Sequence, residues 1–563
     1  MQTKKVEEMT QKELIEMVKQ LRKRKKYGLV WEEKTETVVE KCRKELPVLE
    51  EIKEKTIEKD SKGPVNILIE GDNYHSLSVL AYTHAARVDV IYIDPPYNTG
   101  NKDFKYNDEF VDFDDNFRHS KWLSFLEKRL TISKTLLKKS GFIAISIDDN
   151  EMASLKLLCD EIFGESNYLT TVVVKMSHLS GVKMSHLDKK LPKLKEYLLI
   201  YAKNKNDLQI QPIFEKVEWG KAFSRYNSFI FWDKENPQDI TRWRVSPLKQ
   251  AMIESKVDMF NEQSKYDFFI KNANRIFRTA RNRSEQFIQL PNDEKFRKIT
   301  TSTGLGKIAY KREEVIFASS KLKNVNNGEF APVEPLGDLW TDIGINNLHN
   351  EGGVDFRNGK KPIKLIKRII DLNPNKKALV VDFFAGSGTT GEAVLSLNHD
   401  NNGKRNFIIC TNNENKISEE VCYKRIKNVI DGYNSSEGIP SNFHYFRTSF
   451  VPKSKVTDDT RRELIKRSTE MICIRENTFV KIADNKDFKI YEDGTHSTGI
   501  LFNLDEIDIF KTKINSENKK ANIYVFSLTN DTFDEDFEDL KVKHEICPIP
   551  ESILEVYKKL FKN

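Results

Sequence analysis

Residues 88–97 read V-D-V-I-Y-I-D-P-P-Y. An apolar run of strand length ends on a carboxylate, Asp94, followed by Pro95, Pro96 and the ring of Tyr97. Proline fixes φ and removes a backbone donor, so this turn is stiff and presents carbonyl acceptors. An ionised carboxylate is acceptor-only. Asp94 and the Pro95 carbonyl can therefore receive both N–H groups of an exocyclic amine, which favours a pyramidal nitrogen with a free lone pair. Tyr97 can stack on the ring that bears the amine, a contact worth roughly 1–3 kcal/mol.

Downstream, A-L-V-V-D-F (378–383) leads into F-A-G-S-G-T-T (384–390). Gly386 and Gly388 let the backbone bend sharply from strand to helix and approach a ligand closely. The turn lacks the third glycine of the dinucleotide fingerprint and the Gly-Lys-Ser/Thr of a P-loop, which argues against NAD and ATP. Glu414 follows the next strand, where a carboxylate can hold ribose hydroxyls. The two turns together predict one site for a flat, amine-bearing ring beside a nucleoside cofactor.

Around them the chain alternates strand and helix. Strands are expected at 65–70, 88–93, 141–147, 170–174, 197–201, 378–383 and 406–410. Helices are expected at 73–83, 119–139, 149–163, 361–372, 388–397 and 414–431. Continuous apolar strands separated by helices indicate an α/β fold with a doubly wound, mostly parallel sheet covered on both faces. Residues 205–340 break the rhythm and read as an insertion, which splits one domain into 61–204 and 341–440 with its strands in circularly permuted order. A helical segment, 1–60, precedes it, with Thr10 and Glu13 as a capping box and Leu14, Val18 and Leu21 at helical spacing. A separate α+β domain, 441–563, follows.

The chain has 563 residues, 31% charged and 38% hydrophobic, with a net charge of +7. The charge is uneven: residues 241–325 hold 18 Lys+Arg against 9 Asp+Glu, so a polyanion is expected there. Arg275, Arg278, Arg281 and Arg283, with Arg242 and Arg244 beside Trp243, are the candidate phosphate or base-edge contacts. The six cysteines lie far apart without C-x-x-C or paired His spacing, so no metal site is expected and a reducing cytoplasm fits. No apolar run approaches the ~20 residues of a membrane span.

D-P-P-Y with F-A-G-S-G downstream resembles the amino-group DNA methyltransferases that use S-adenosyl-L-methionine, in the β-type order of catalytic motif, insert and cofactor motif. The words G-D-N-Y-H-S-L (71–77), Y-N-T-G-N-K-D-F (97–104), H-S-K-W-L-S-F (119–125), S-I-D-D-N-E (146–151) and E-I-F-G-E (161–165) resemble, more narrowly, the modification subunit of type III restriction–modification systems. The resemblance is strong over about residues 27–435 and weaker beyond. It implies the S-adenosylmethionine-dependent methyltransferase fold, with 205–340 as the DNA target-recognition domain. Asp94, Pro95, Pro96 and Tyr97 would be catalytic. Asp382, Phe384, Gly386, Gly388 and Thr389 would hold the cofactor, Asp72 would face its adenine, and Lys361-Pro362 with Lys364 would close over its methionine end. One departure is Asp382-Phe383-Phe384, where the family has Asp-Pro-Phe.

The implied reaction is N6-methylation of an adenine flipped out of duplex DNA. N4-methylation of cytosine is the close alternative, since the same turn can hold that amine. A subunit that mainly recognises DNA for a partner nuclease is another. The implied partners are double-stranded DNA, a second copy of the chain and a separate ATP-dependent helicase–endonuclease, with the N-terminal segment and the acidic stretch 531–539 as contact surfaces.

Overall fold

The computed structural model describes residues 10–11, 31–61, 63–176, 191–233, 235–300, 304, 306–326, 329–344, 348–356, 360–453, 457–527 and 533–561. The expected N-terminal helix around Leu14, Val18 and Leu21 lies outside the described residues. The chain forms two compact units, one of residues 1–211 with 338–563 and one of residues 212–337.

The larger unit is built on an eleven-stranded sheet. Its strands, in chain order, are β1 (Glu45–Glu51), β2 (Val65–Glu70), β3 (Val88–Ile93), β4 (Leu137–Ile147), β5 (Tyr168–Lys175), β6 (Lys195–Ala202), β7 (Leu339–Trp340), β8 (Leu379–Asp382), β9 (Asn406–Thr411) and β10 (Asn442–Pro452), with Ile57–Glu58 as a short extra strand on β10. Their spatial order is β1-β10-β2-β9-β8-β3-β4-β6-β5-β7. From β10 to β4 every neighbouring pair is parallel. β3 is buried at all six positions, as a strand covered on both faces must be.

Among the described residues, the helices that cover this sheet include α1 (Asn73–Thr83), α2 (Arg118–Leu136), α3 (Met152–Phe163), α4 (Ile363–Asp371), α5 (Thr389–Asn401) and α6 (Lys424–Asp431). α1, α2 and α3 pack in series, and α4, α5 and α6 form a second series. Local chemistry sets their ends and faces. Asp72 caps α1 by accepting from Tyr74 N at 2.7 Å. On α2, Trp122, Leu126 and Leu130 recur every fourth residue and are fully buried. Each such Leu contributes about 1.5–3 kcal/mol by leaving water. α4 buries Leu365, Ile366, Ile369 and Ile370 along one stripe.

Three boundaries differ from the sequence reading. Within residues 1–60, Thr37–Lys44 is helical, but Glu45–Glu51 is strand β1. The stretch expected as one helix over 414–431 is a 3-10 turn at Glu414–Lys416, a π-helical segment at Ile417–Tyr423 and then α6. The C-terminal region is not a unit apart. β10 enters the main sheet between β1 and β2, because its alternating Phe443, Tyr445 and the facing residues are buried on both sides. Beyond it lies a five-stranded sheet, Val480–Asp484, Phe488–Glu492, His496–Leu501, Lys520–Phe526 and His544–Ile549. Two of its flanking helices, Thr469–Glu476 and Glu551–Leu560, pack against α1.

The smaller unit is all-antiparallel at its centre. A six-stranded sheet runs Arg244–Pro247, Ser228–Phe231, Ile276–Arg281, Glu313–Phe317, Gly306–Tyr310, Phe296–Thr300, beside a three-stranded sheet. Its core is aromatic, with Phe277, Phe296 and Tyr310 buried together. No helix among the described residues is long and apolar enough to cross a membrane.

Candidate active site

β3 and β8 are parallel neighbours, with Val90 opposite Val380 and Ile91 opposite Val381. Both strands therefore release their chains at the same edge of the sheet. D-P-P-Y leaves β3 and F-A-G-S-G-T-T leaves β8, and the two turns line one cavity of about 410 Å³. Asp94, Pro95, Pro96, Tyr97, Asp382, Phe384, Ala385, Gly386, Ser387, Thr389 and Thr390 all contribute to its wall. Residues separated by nearly 300 positions thus meet because two strands pair.

The proline turn is held from behind. Trp122 Nε1 on α2 donates to the Pro96 carbonyl at 2.7 Å. Asn98, left-handed at φ 55°, donates to the buried Glu151 carboxylate at 2.6 Å. Inside the cavity, Tyr97 Oη lies 2.9 Å from both Asp94 Oδ1 and Glu196 Oε2, with one proton to share between them. Lys361 Nζ donates to Tyr97 Oη and to Glu196 Oε2, each at 2.6 Å, and stands 3.2 Å from Asp94 Oδ1.

Burial pushes the Asp94 carboxyl up, Lys361 opposes that rise and Glu196 adds to it. The Tyr97 phenol is driven well above its ordinary value by burial and by the two carboxylates, so it stays protonated at neutral pH. For Lys361 burial favours the neutral amine, but Asp94 and Glu196 outweigh it and hold the ammonium charged.

The glycine turn is built for exposed main chain. Gly386 has φ +51°, and a side chain there would meet only the Phe384 carbonyl, at 3.9 Å, so open space lies before it. Gly388 has φ +81° and caps α5; a Cβ there would stand 3.0 Å from Cys422 Sγ. Asp382, at the end of β8, accepts from Phe384 N at 2.9 Å and from Thr390 Oγ1 at 2.5 Å, which ties strand to helix. Burial raises its carboxyl to about 7. Arg425 on α6, fully buried, donates to Thr389 Oγ1 at 2.7 Å and Ser387 Oγ at 3.1 Å and pairs with Glu392 at 2.5 Å.

Other expected site residues sit elsewhere. Asp72 is the cap of α1 and lies 3.4 Å from the buried Arg129 guanidinium, which also pairs with Glu36 at 2.7 Å. Glu414 pairs with Lys105. Lys364 points to Asp342 at 2.6 Å, while Lys361, just before α4, enters the cavity. None of Asp72, Glu414 and Lys364 is among the cavity-lining residues. The sequence reading missed Glu196 and Arg425. Glu196 carried a usable signal, a lone carboxylate in K-E-Y-L-L-I-Y at the head of an otherwise apolar strand.

In the smaller unit the arginines divide by environment. Arg275 lies over the Phe229 and Trp232 rings, at 4.5 and 5.0 Å, and donates to Ile230 O at 3.1 Å. Arg242 pairs with Asp233 at 2.8 Å and Asp239 at 3.3 Å. Arg278 is half-buried near Tyr226, at 5.8 Å. Arg244, Arg281 and Arg283 are exposed.

A family model described as "DNA methylase" matches residues 88–422, more than half of the chain. The chain belongs to this DNA methylase family. Among its relatives, the "Probable type III restriction-modification enzyme HindVI Mod subunit" of Haemophilus influenzae is 32% identical over 65% of this chain and 51% of that one. The EcoPI Mod subunit of Escherichia phage P1, a type III enzyme subunit, is 29% identical over 69% of this chain and 63% of its own. The type II methyltransferase M.KpnI of Klebsiella pneumoniae is 31% identical over 63% of this chain and 82% of its own. The chain thus spans about half to two thirds of the length of the two type III relatives.

Proposed function

We propose that this DNA methylase transfers a methyl group from S-adenosyl-L-methionine to N6 of a flipped-out adenine in duplex DNA, as modification and recognition subunit of a type III restriction–modification system. The single observation that carries the reading is the shared cavity, in which an acid–proline–aromatic turn faces a glycine turn across two paired strands. In this reading the strands are a circularly permuted methyltransferase sheet and residues 212–337 are the target-recognition unit.

The lining fits the cofactor. Among the described lining residues Asp94, Asp103, Glu196 and Asp382 outnumber the cation Lys361, and acidic surroundings favour a sulfonium. The open main chain at Gly386 and the ring of Phe384 suit a nucleoside. Phe384, Gly386, Ser387 and Thr389 would hold it, and it supplies a methyl group activated as a sulfonium. Asp94 and the Pro95 carbonyl accept the two amine N–H groups, Tyr97 stacks on the base, and Trp122 keeps the turn from yielding. Adenine is preferred to cytosine on the acid before Pro-Pro, and the type III assignment on the relatives' names. A partner helicase–endonuclease and a second copy of this chain complete the proposed assembly.

The test is tritium transfer from labelled S-adenosyl-L-methionine to unmethylated bacterial DNA, followed by nucleoside mass spectrometry. N6-methyladenine is expected. N4-methylcytosine would replace the adenine reading, and no incorporation would end the enzymatic one.

A further inference from the structure

We infer that Lys361 and Glu196 are a counter-charged pair of positioning residues that sets the ionisation of Asp94, Lys361 holding the carboxylate charged and Glu196 opposing it. The inference rests on the methyltransferase reading and deepens it, since an ionised Asp94 offers an amine only acceptors whereas a protonated one turns an oxygen into a donor.

The geometry is that of a clamp closed by distant chain. Lys361 lies 264 positions from Tyr97, yet its ammonium reaches Tyr97 Oη and Glu196 Oε2 at 2.6 Å and Asp94 Oδ1 at 3.2 Å. All three side chains are largely buried, at 10% exposure for Lys361, 19% for Asp94 and 25% for Glu196. Among the described residues, the groups facing Asp94 come from several elements. They are Tyr92 on β3, Tyr97 on the turn, Glu196 on β6, Asp382 at the end of β8 and Lys361 before α4. Among them Lys361 is the one cation.

Without Lys361, Asp94 would be a desolvated carboxylate beside a second carboxylate, and such pairs take up a proton. A protonated Asp94 turns one oxygen into a donor and loses half its capacity to receive the amine. Without Glu196, the same cation acts on Asp94 alone. The two removals therefore act in opposite directions, which a purely structural role for either residue does not produce. A packing role would lower the rate at all pH values and leave the titration where it was.

The experiment is the pH profile of kcat for the full chain, with S-adenosyl-L-methionine and unmethylated bacterial genomic DNA saturating, for native protein, K361M, E196Q and the double variant. The acidic limb should move up by roughly one to three pH units in K361M, so that raising the pH rescues it. It should move down in E196Q and return near the native position when both charges are absent. Limbs that coincide with the native one in both single variants, or that move the same way, overturn the inference. If K361M does not fold, as read by circular dichroism, E196Q decides alone, and an unmoved limb sinks the pair. Failure of the underlying reading looks different: native protein would then transfer no methyl group at all, and the inference would fall with it.

Discussion

The indole Nε1 of Trp122 meets the Pro96 carbonyl oxygen at 2.7 Å, so helix α2 holds the turn that carries Asp94 and Tyr97. The bond anchors the second proline of the turn to the helix. Replacing Trp122 by Phe keeps most of the packing and deletes that bond. A hydrogen bond of about 1 kcal/mol corresponds to a loss of roughly tenfold or less in kcat. Affinity for S-adenosyl-L-methionine, measured by calorimetry, should stay within about twofold.

Asp94→Ala removes the acceptor itself. Methyl transfer should fall below detection by tritium incorporation, while duplex binding in a mobility-shift assay stays near native. Retained turnover would overturn the catalytic role of Asp94.

Gly386→Trp places a ring before the glycine turn, where the nearest neighbour of a Cβ is the Phe384 carbonyl at 3.9 Å. The left-handed φ of +51° adds a strain of about 1–2 kcal/mol, so folding is checked by circular dichroism, and calorimetric binding of S-adenosyl-L-methionine should vanish in the folded variant. Gly388→Ala should act on stability instead. Its φ of +81° and the Cys422 Sγ at 3.0 Å leave no relaxed place for a methyl group, at a cost of about 1–2 kcal/mol in urea unfolding.

Asp382 gives a pH signature. Its carboxyl sits at about 7 in the folded chain, against 3.8 ordinarily. Between those two values the folded protein binds a proton that the unfolded chain has released. Stability contributed by this group is therefore greatest in acid and declines as pH rises towards 7, by up to about 1.4 kcal/mol per pH unit. Asp382→Asn should flatten that part of the stability–pH curve, as followed by urea unfolding at successive pH values.

Arg281 and Arg283 are the exposed members of the basic strand and its extension. If each neutralises one phosphate, replacing either by Ala should lower the slope of log K against log salt by about one, uniformly across sequences. Arg275→Ala should instead destabilise the smaller unit, since its guanidinium lies over Phe229 and Trp232.

The strands and helices that carry the site were legible because both turns follow buried, unbroken apolar runs, V-D-V-I-Y-I and A-L-V-V-D-F. Their meeting was legible only in outline. Pairing of Ile91 with Val381 is a register, and no local pattern encodes it. Ion-pair choices were hidden for the same reason. Lys361 and Lys364 lie in the same short K-P-I-K stretch and look alike in sequence, yet one faces Asp94 and the other Asp342. Asp72, expected to face the cofactor's adenine, instead caps α1 through its bond to Tyr74 N, a role that its place just before a helix also suits. β1 was obscured because E-L-P-V-L-E-E carries helix-forming Glu and Leu, and its strand state comes from pairing with β10.

That pairing has a practical consequence for anyone dissecting the protein. β10 lies between β1 and β2, so a fragment ending near residue 441 would lose an interior strand and bare two raw edges of backbone donors and acceptors. Such a truncation should aggregate rather than yield a minimal methylase, even though both signature motifs survive in it.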